Sequence, residues 1–302
     1  MIKLMNYKSQ LFSFYAYLVN KMLNNELTFV DDLELSAIGA RICYSSATNF
    51  TELISDPKIS DRKERFKFLE KLYNAEHDSV FAHSPVLFKE KGNFKKFNVF
   101  KLWQFYDISN DVTYFCANAR HLIEALRYKN LDFKVLTEKL NQSEILKNLS
   151  YVFKQKNNMN VVTMVFKNTH PWYWASVIAF GVSRIMTHQF VRHTWLNFSQ
   201  RSHRYTPIDG FSFPETISRL SVTKKVIEFF ESIKSEIPEN AKKEDIRYLF
   251  PHGIKTTIMA SAPYFAWEHF IELRKSPKAQ TEIRMFACLV EKGINEALDE
   301  QN

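Results

Sequence analysis

Glycine is scarce in this chain of 302 residues: there are 6, and neither a Gly-x-Gly-x-x-Gly motif nor a Walker-type loop occurs. That excludes Rossmann and P-loop nucleotide sites, which need glycine backbone close to a phosphate. Any cofactor has to be held by side chains. Cysteine is as sparse. Cys43, Cys116 and Cys288 are odd in number and widely spaced, so neither a disulfide framework nor a Cys-x-x-Cys metal site is indicated and no metal is expected. No stretch approaches the ~18 to 20 apolar residues of a membrane span, and the N-terminus, with Lys3 and Lys8, lacks a continuous apolar signal core. The reading is a soluble, cytoplasmic protein with no membrane partner. No internal repeat or low-complexity tract is apparent.

With 45% hydrophobic and 15% aromatic residues, the chain can bury a sizeable core, and one domain over residues 1–302 with an elaboration is expected. A formal charge of +8 suits a nucleotide or phosphorylated cofactor, although nucleic acid would account for the same number. Leu33, Ile38, Ile42, Phe66, Leu69 and Leu72 recur at helical spacing, so residues 31–76 read as mainly helical. Val86–Phe88 and Val161–Phe166 read as strands. Between them, residues 90–158 read as an insertion with a helical signal of its own (Ala119, Leu122, Ile123, Leu126) and a lysine- and asparagine-rich end. Helices are expected from Pro171 through Val191, from Val222 to about Lys234, from near Thr257 across Trp267 and Arg274, and from Ala279 to about Leu298. The fold class is α+β: a small antiparallel sheet flanked by helices, with a partly helical insertion.

The chemistry concentrates in Gly181–Tyr205. Arg184, Arg192, Arg201 and Arg204, with His188, His193 and His203, offer charge-assisted donors to a phosphate, while Gln189 and Ser202 can read uncharged edges of a ligand. A solvated basic helix face followed by a loop is the plainer reading of such a run. Order separates the two. Arg192-His193-Thr194, seven residues, then Ser202-His203-Arg204-Tyr205 resembles the signature of the flavin-dependent thymidylate synthase (ThyX) family, Arg-His-Arg, seven residues, Ser-x-Arg-Tyr. The resemblance continues in Ala40-Arg41-Ile-Cys43-Tyr44, His77-Asp-Ser79-Val-Phe-Ala-His83, Glu244-Asp-Ile-Arg247-Tyr-Leu-Phe-Pro251, Ala266-Trp267-Glu-His269 through Arg274, and Ala279-Gln280-Thr-Glu282-Ile283-Arg284. It covers about residues 33–90 and 161–298.

What the resemblance implies is a ThyX-like fold and the reductive methylation of deoxyuridine monophosphate (dUMP) to thymidylate (dTMP). Methylenetetrahydrofolate would supply the carbon, FAD would be the cofactor and NADPH the reductant. Carried over residue by residue, it assigns dUMP to Gln189, Ser202, the backbone at His203, Arg204, Arg247 and Arg274. It assigns the flavin to His77, Ser79, Arg192, His193 and His269. No catalytic nucleophile is implied, and a homotetramer with shared sites is. Three positions depart: Thr194 replaces the third residue of the triplet, and Pro263 and Phe265 replace the asparagine and arginine of the family's Asn-x-Arg. Asn118-Ala119-Arg120 in the insertion repeats that lost pattern. It is either a replacement flavin site or ordinary helix capping.

Two other classes stay open. A nucleotide-binding paralogue without flavin chemistry would keep the arginines and tolerate the three departures. A basic nucleic-acid-binding protein would rest on positive charge and on Trp195, Phe198 and Tyr205, although no nucleic-acid partner is expected.

Overall fold

The structure is a computed structural model, and it describes residues 2–94, 97–140, 151–166 and 172–299. Uninterrupted apolar runs decide its architecture. Trp174–Ser183 (β7) and Lys255–Pro263 (β9) are buried almost throughout, so they lie in the middle of a five-stranded antiparallel sheet rather than on helices. That sheet has the order β5-β6-β7-β9-β8, with β5 at Tyr151–Lys156, β6 at Met159–Phe166 and β8 at Asn197–Gln200. Its two faces alternate along the strands. Val162, Met164, Ile178 and Met259 face a core made with the N-terminal half. Val161, Val165, Val177 and Ile258 face a second core made with two C-terminal helices, Tyr264–Lys275 and Thr281–Asp299.

Two helical expectations are corrected here. The segment expected to be helical from Pro171 through Val191 is strand β7 followed by a short helix, Arg184–Phe190; Pro171 itself lies outside the described residues. The helix expected from near Thr257 is β9 up to Pro263, and helix begins only at Tyr264. In both cases a strand buried on both faces lacks the polar alternation that marks a half-buried one.

The N-terminal half begins with Ile2–Leu23 (α1), for which the sequence pattern had prompted no assignment, and continues through Glu34–Tyr44 (α2) and Arg62–Asn74 (α3). Short helices at Phe50–Ile54 and Pro57–Ser60 complete the mainly helical stretch expected over 31–76, with Asn49, Asp56 and Asp61 as side-chain caps. A second sheet of four strands has the order β1-β2-β4-β3: Thr28–Phe29, Pro85–Lys91, Val112–Asn118 and Trp103–Asp107. The 90–158 stretch is partly helical, as expected, and also carries strands. It supplies β3 and β4, and β4 runs antiparallel to all seven residues of β2 before leading into Ala119–Tyr128 (α4). Residues 141–150 of its lysine- and asparagine-rich end lie outside the described residues.

A repeated unit emerges that the sequence had not revealed. In one copy β2 pairs with β4, which runs directly into α4; in the other β7 pairs with β9, which runs directly into the helix Tyr264–Lys275 (α7 below). The first strand residue faces the residue before the helix in both, Pro85 opposite Asn118 and Trp174 opposite Pro263. Gly92 and Gly181 stand seven residues beyond Pro85 and Trp174, and both are left-handed, with φ of 81° and 72°. Asn118 and Arg120 thus hold in the first unit the places of Pro263 and Phe265 in the second.

Between the sheets lies a tight turn, Asp78–His83. His83 is fully buried, with Nδ1 at 2.8 Å from Ser261 Oγ and Nε2 at 2.9 Å from Ser199 Oγ, so its ring ties the turn to β8 and β9. Burial and Lys101 push its pKa down to about 3, which keeps it neutral.

In chain order the remaining helices are α5 (Arg184–Phe190), α6 (Ser221–Glu236), α7 (Tyr264–Lys275) and α8 (Thr281–Asp299).

Candidate functional site

The signature loop is held from both sides. β8 is hydrogen-bonded along β9, and the Ser202 N–H donates to Cys43 O at 3.0 Å where α2 ends. The Tyr205 ring packs on Tyr44 with centroids 5.1 Å apart. The Ala40–Tyr44 segment therefore acts as a rest for the signature. Arg201 is not available to a ligand: it is buried, pairs with Asp209 at 2.9 Å and donates to Ala47 O. The chain then turns, with the Tyr205 and Thr206 N–H groups donating to the Ser202 carbonyl, and leaves Arg204 exposed.

One group of cations surrounds a cavity of about 410 Å³ lined by Arg184, His188, His203, Arg247, Tyr248 and His252, with no carboxylate in its wall. Two arginines and three imidazoles without a counter-charge favour an anion. The His203 ring is 3% exposed and neither nitrogen reaches a hydrogen-bond partner of good geometry. Burial, with Arg184 and Arg201, holds its pKa below the ordinary histidine value. The same causes act on His188, through burial, His252 and Arg184; the two rings sit 4.7 Å apart. Burial and Arg247 also lower the pKa of Arg184. Arg204 lies alongside, paired with Glu244 at 2.9 Å, and Arg247 donates to the Glu244 carbonyl at 3.1 Å. Ser202, His203, Arg204 and Arg247 are thus brought to one region by the loop and the 243–249 turn.

A second group forms on the other flank of α5. Arg274 donates through Nε to His193 Nε2 at 2.8 Å and through Nη2 to the Gln189 carbonyl at 3.3 Å. The Gln189 side chain bonds Gln280. His193 accepts from an arginine, so its own proton is on Nδ1; burial, then Arg274, His269 and Arg192, push its pKa down to about 4. His269 is exposed, its ring 6.5 Å from that of His193. Successive helix residues are about 100° apart. Hence His188 faces the first group while Gln189 faces the second.

The remaining flavin candidates are spread out. Asn118 caps α4: its Oδ1 accepts from the His121 N–H at 3.4 Å, and the His121 ring accepts from the Asn118 N–H at 3.3 Å. Arg120 pairs with Glu124 at 2.8 Å on the exposed face of that helix. Asn118 and Arg120 also line a cavity of about 320 Å³ that reaches Asn197, three residues beyond Thr194. His77 and Ser79 are exposed on the turn that Arg127 fixes by pairing with Asp78 at 2.8 Å. The positions of the lost Asn-x-Arg are filled by packing: Pro263 ends β9, and the Phe265 ring lies 6.3 Å from Trp103 and 5.8 Å from Trp172. His252 and Lys101 were missed from sequence. His252 follows Pro251 closely enough for its motif to have flagged it, whereas nothing near Lys101 marks a site. Among the described residues no group of three His, Cys, Asp or Glu is placed to hold a metal, and no helix is long and apolar enough to cross a membrane.

Residues 134–298 match the family model described as thymidylate synthase complementing protein, so this chain belongs to that family. The match holds the signature, Glu244–Pro251 and the last two helices; the Ala40 and His77 segments precede it. Among relatives, a flavin-dependent thymidylate synthase of Sulfurisphaera tokodaii is 35% identical over 131 residues, 38% of this chain and 50% of that protein. One of Sulfolobus acidocaldarius is 27% identical over 183 residues, 55% and 69% respectively. The chain thus spans half of the first relative and about two thirds of the second. A solved thymidylate synthase X of Helicobacter pylori with FAD and dUMP is 22% identical, with 41% and 67% covered and a TM-score of 0.34.

Proposed function

We propose that the chain is a flavin-dependent thymidylate synthase that converts dUMP to dTMP. The observation that carries this reading is the carboxylate-free wall of Arg184, His188, His203, Arg247 and His252 beside the signature loop. It suits the phosphate of a nucleotide, with Ser202 and Arg204 at its edge. Gln189 and Arg274, in the second group, complete a dUMP site when two copies meet. That division supports a homotetramer with shared sites, and the cytoplasm is its proposed location.

The flavin would be held by His77, Ser79, Arg192, His193, His269, Asn118 and Arg120. The donor set fits an anionic cofactor: Arg192 and Arg120 are exposed guanidiniums, and the Asn118 amide lines a cavity shared with Asn197. Bound FAD supplies the redox chemistry of the transfer, with NADPH as reductant and methylenetetrahydrofolate as carbon donor. The chain itself orients. His193 is kept neutral by burial and by Arg274, and Arg274 is kept in place by the Gln189 carbonyl, so His193 presents a fixed donor to the flavin and Arg274 one to dUMP. A visible absorption spectrum of purified protein tests the reading: a flavin band that responds to added dUMP is expected, and colourless protein that takes up no FAD contradicts it.

The packing of Pro263 and Phe265 favours one second reading, a paralogue that binds dUMP without flavin chemistry. Tight dUMP binding with no FAD uptake would select it.

A further inference from the structure

We infer that Lys101, with Arg120 and the Asn118 amide, forms a subsite for the diphosphate of a dinucleotide cofactor, replacing the ligands missing at Thr194, Pro263 and Phe265. The inference rests on the flavoenzyme reading above. Its first support is position. Lys101 Nζ donates to Leu196 O at 2.7 Å and to Asn197 Oδ1 at 2.9 Å, and Asn197 Nδ2 donates to Ser261 O at 3.2 Å. Those bonds place the ammonium beside the chain that follows Thr194 and the strand end that leads into Pro263.

The second support is the state of the lysine. Its backbone is left-handed, with φ of 59°, a conformation that costs a non-glycine residue about 1 kcal/mol or more, and its side chain lines the cavity. The side chain is partly buried and, among the described residues, forms no ion pair. Burial and the charge of Arg120 push its pKa down to about 8. Two of its three donors are spent on neutral oxygens, leaving one for a ligand.

The third is the cavity, about 320 Å³, which Lys101, Asn118, Arg120, His121 and Asn197 share with the rings of Tyr15 and Phe100. Glu124 is its one carboxylate and is already engaged by Arg120 and by Tyr15, whose hydroxyl donates at 2.5 Å. His121 is neutral, its pKa pushed down to about 4 by burial. An anion here would relieve the mutual repulsion of Lys101 and Arg120. The repeated strand–helix unit supplies the rest: Asn118 and Arg120 stand at the junction equivalent to Pro263 and Phe265.

The test is fluorescence titration of wild type, Lys101→Met and Lys101→Arg with FAD, NADPH, riboflavin and dUMP. Lys101→Met should weaken a dinucleotide about tenfold to a hundredfold, Lys101→Arg should weaken it less, and riboflavin and dUMP should bind as in wild type. Loss for FAD alone identifies the flavin as the occupant; loss for NADPH alone identifies the reductant. Unchanged FAD and NADPH affinities in Lys101→Met would overturn the subsite. A wild type that binds neither dinucleotide would instead overturn the flavoenzyme reading beneath it. Equal thermal midpoints across the three proteins separate ligand loss from misfolding.

Discussion

Arginine at and around the signature divides into two kinds, and the structure shows the physical difference between them. Arg204 and Arg274 are solvent-reaching or half-buried, and their partners are a surface carboxylate, an imidazole and a carbonyl. Each replaced by alanine should leave stability within ~1 kcal/mol while weakening dUMP binding by ~1.5 to 3 kcal/mol, because an exposed ion pair contributes little and a charge-assisted ligand contact much more. Calorimetric titration checks this, and unchanged affinity in both variants would put the anion elsewhere. Arg201→Ala should behave oppositely. Its buried pairing with Asp209 and Ala47 predicts a loss of about 2 to 4 kcal/mol of stability by urea denaturation. From residue type alone Arg201 and Arg204 read alike as phosphate donors, although the family resemblance assigned only Arg204 and Arg274 to dUMP; which arginine turns inward is set by the fold around the loop, and no residue type announces it. Histidine protonation adds a pH dependence. His83, His121 and His193 have folded pKa values of about 3, 4 and 4, below the unfolded value near 6.5. The unfolded chain therefore binds more protons below pH 6.5, and stability falls as pH drops from 6.5 towards 4. For the fully buried His83 and His121 the slope is about 1.4 kcal/mol per pH unit each. Urea midpoints that stay level or rise over that interval would contradict these neutral histidines.

At the scale of elements, amphipathic helices were legible and buried strands were not. α2, α3, α6 and α8 follow their apolar spacing, and α3 its Asp61 cap as well. β7 and β9 have two apolar faces, so nothing in their composition separates strand from helix. The repeated unit was hidden for another reason: it is carried by register and backbone conformation, and few side chains are shared between copies. It makes a differential prediction. Both Gly92 and Gly181 are left-handed, but a Cβ at Gly92 meets nothing within 4 Å, whereas one at Gly181 would lie 2.2 Å from the Asn158 carbonyl oxygen. Gly92→Ala should cost about 1 kcal/mol and Gly181→Ala about 2 to 4 kcal/mol. Equal thermal midpoints for the two variants would show that β7 adapts at Gly181, where its register with β9 shifts between Phe180 and Val182.

For the whole molecule, the proposed dUMP residues fall into two groups, which is what a site shared between copies requires. Arg204 and Arg247 stand on one flank of α5 and Gln189 and Arg274 on the other. The apolar run at 174–183 is an inner strand and offers no surface for association. The exposed apolar surface lies elsewhere, at Val222 and Phe229 on α6 and at Tyr248 and Leu249. Sedimentation at micromolar concentration should give a tetramer, and a fully active monomer would contradict shared sites. The central claim is tested most directly by following dTMP formed from dUMP, methylenetetrahydrofolate and NADPH by the purified protein, with and without added FAD. The account predicts dTMP production that requires both the reductant and bound flavin. Full FAD and dUMP occupancy with no dTMP formed would contradict it.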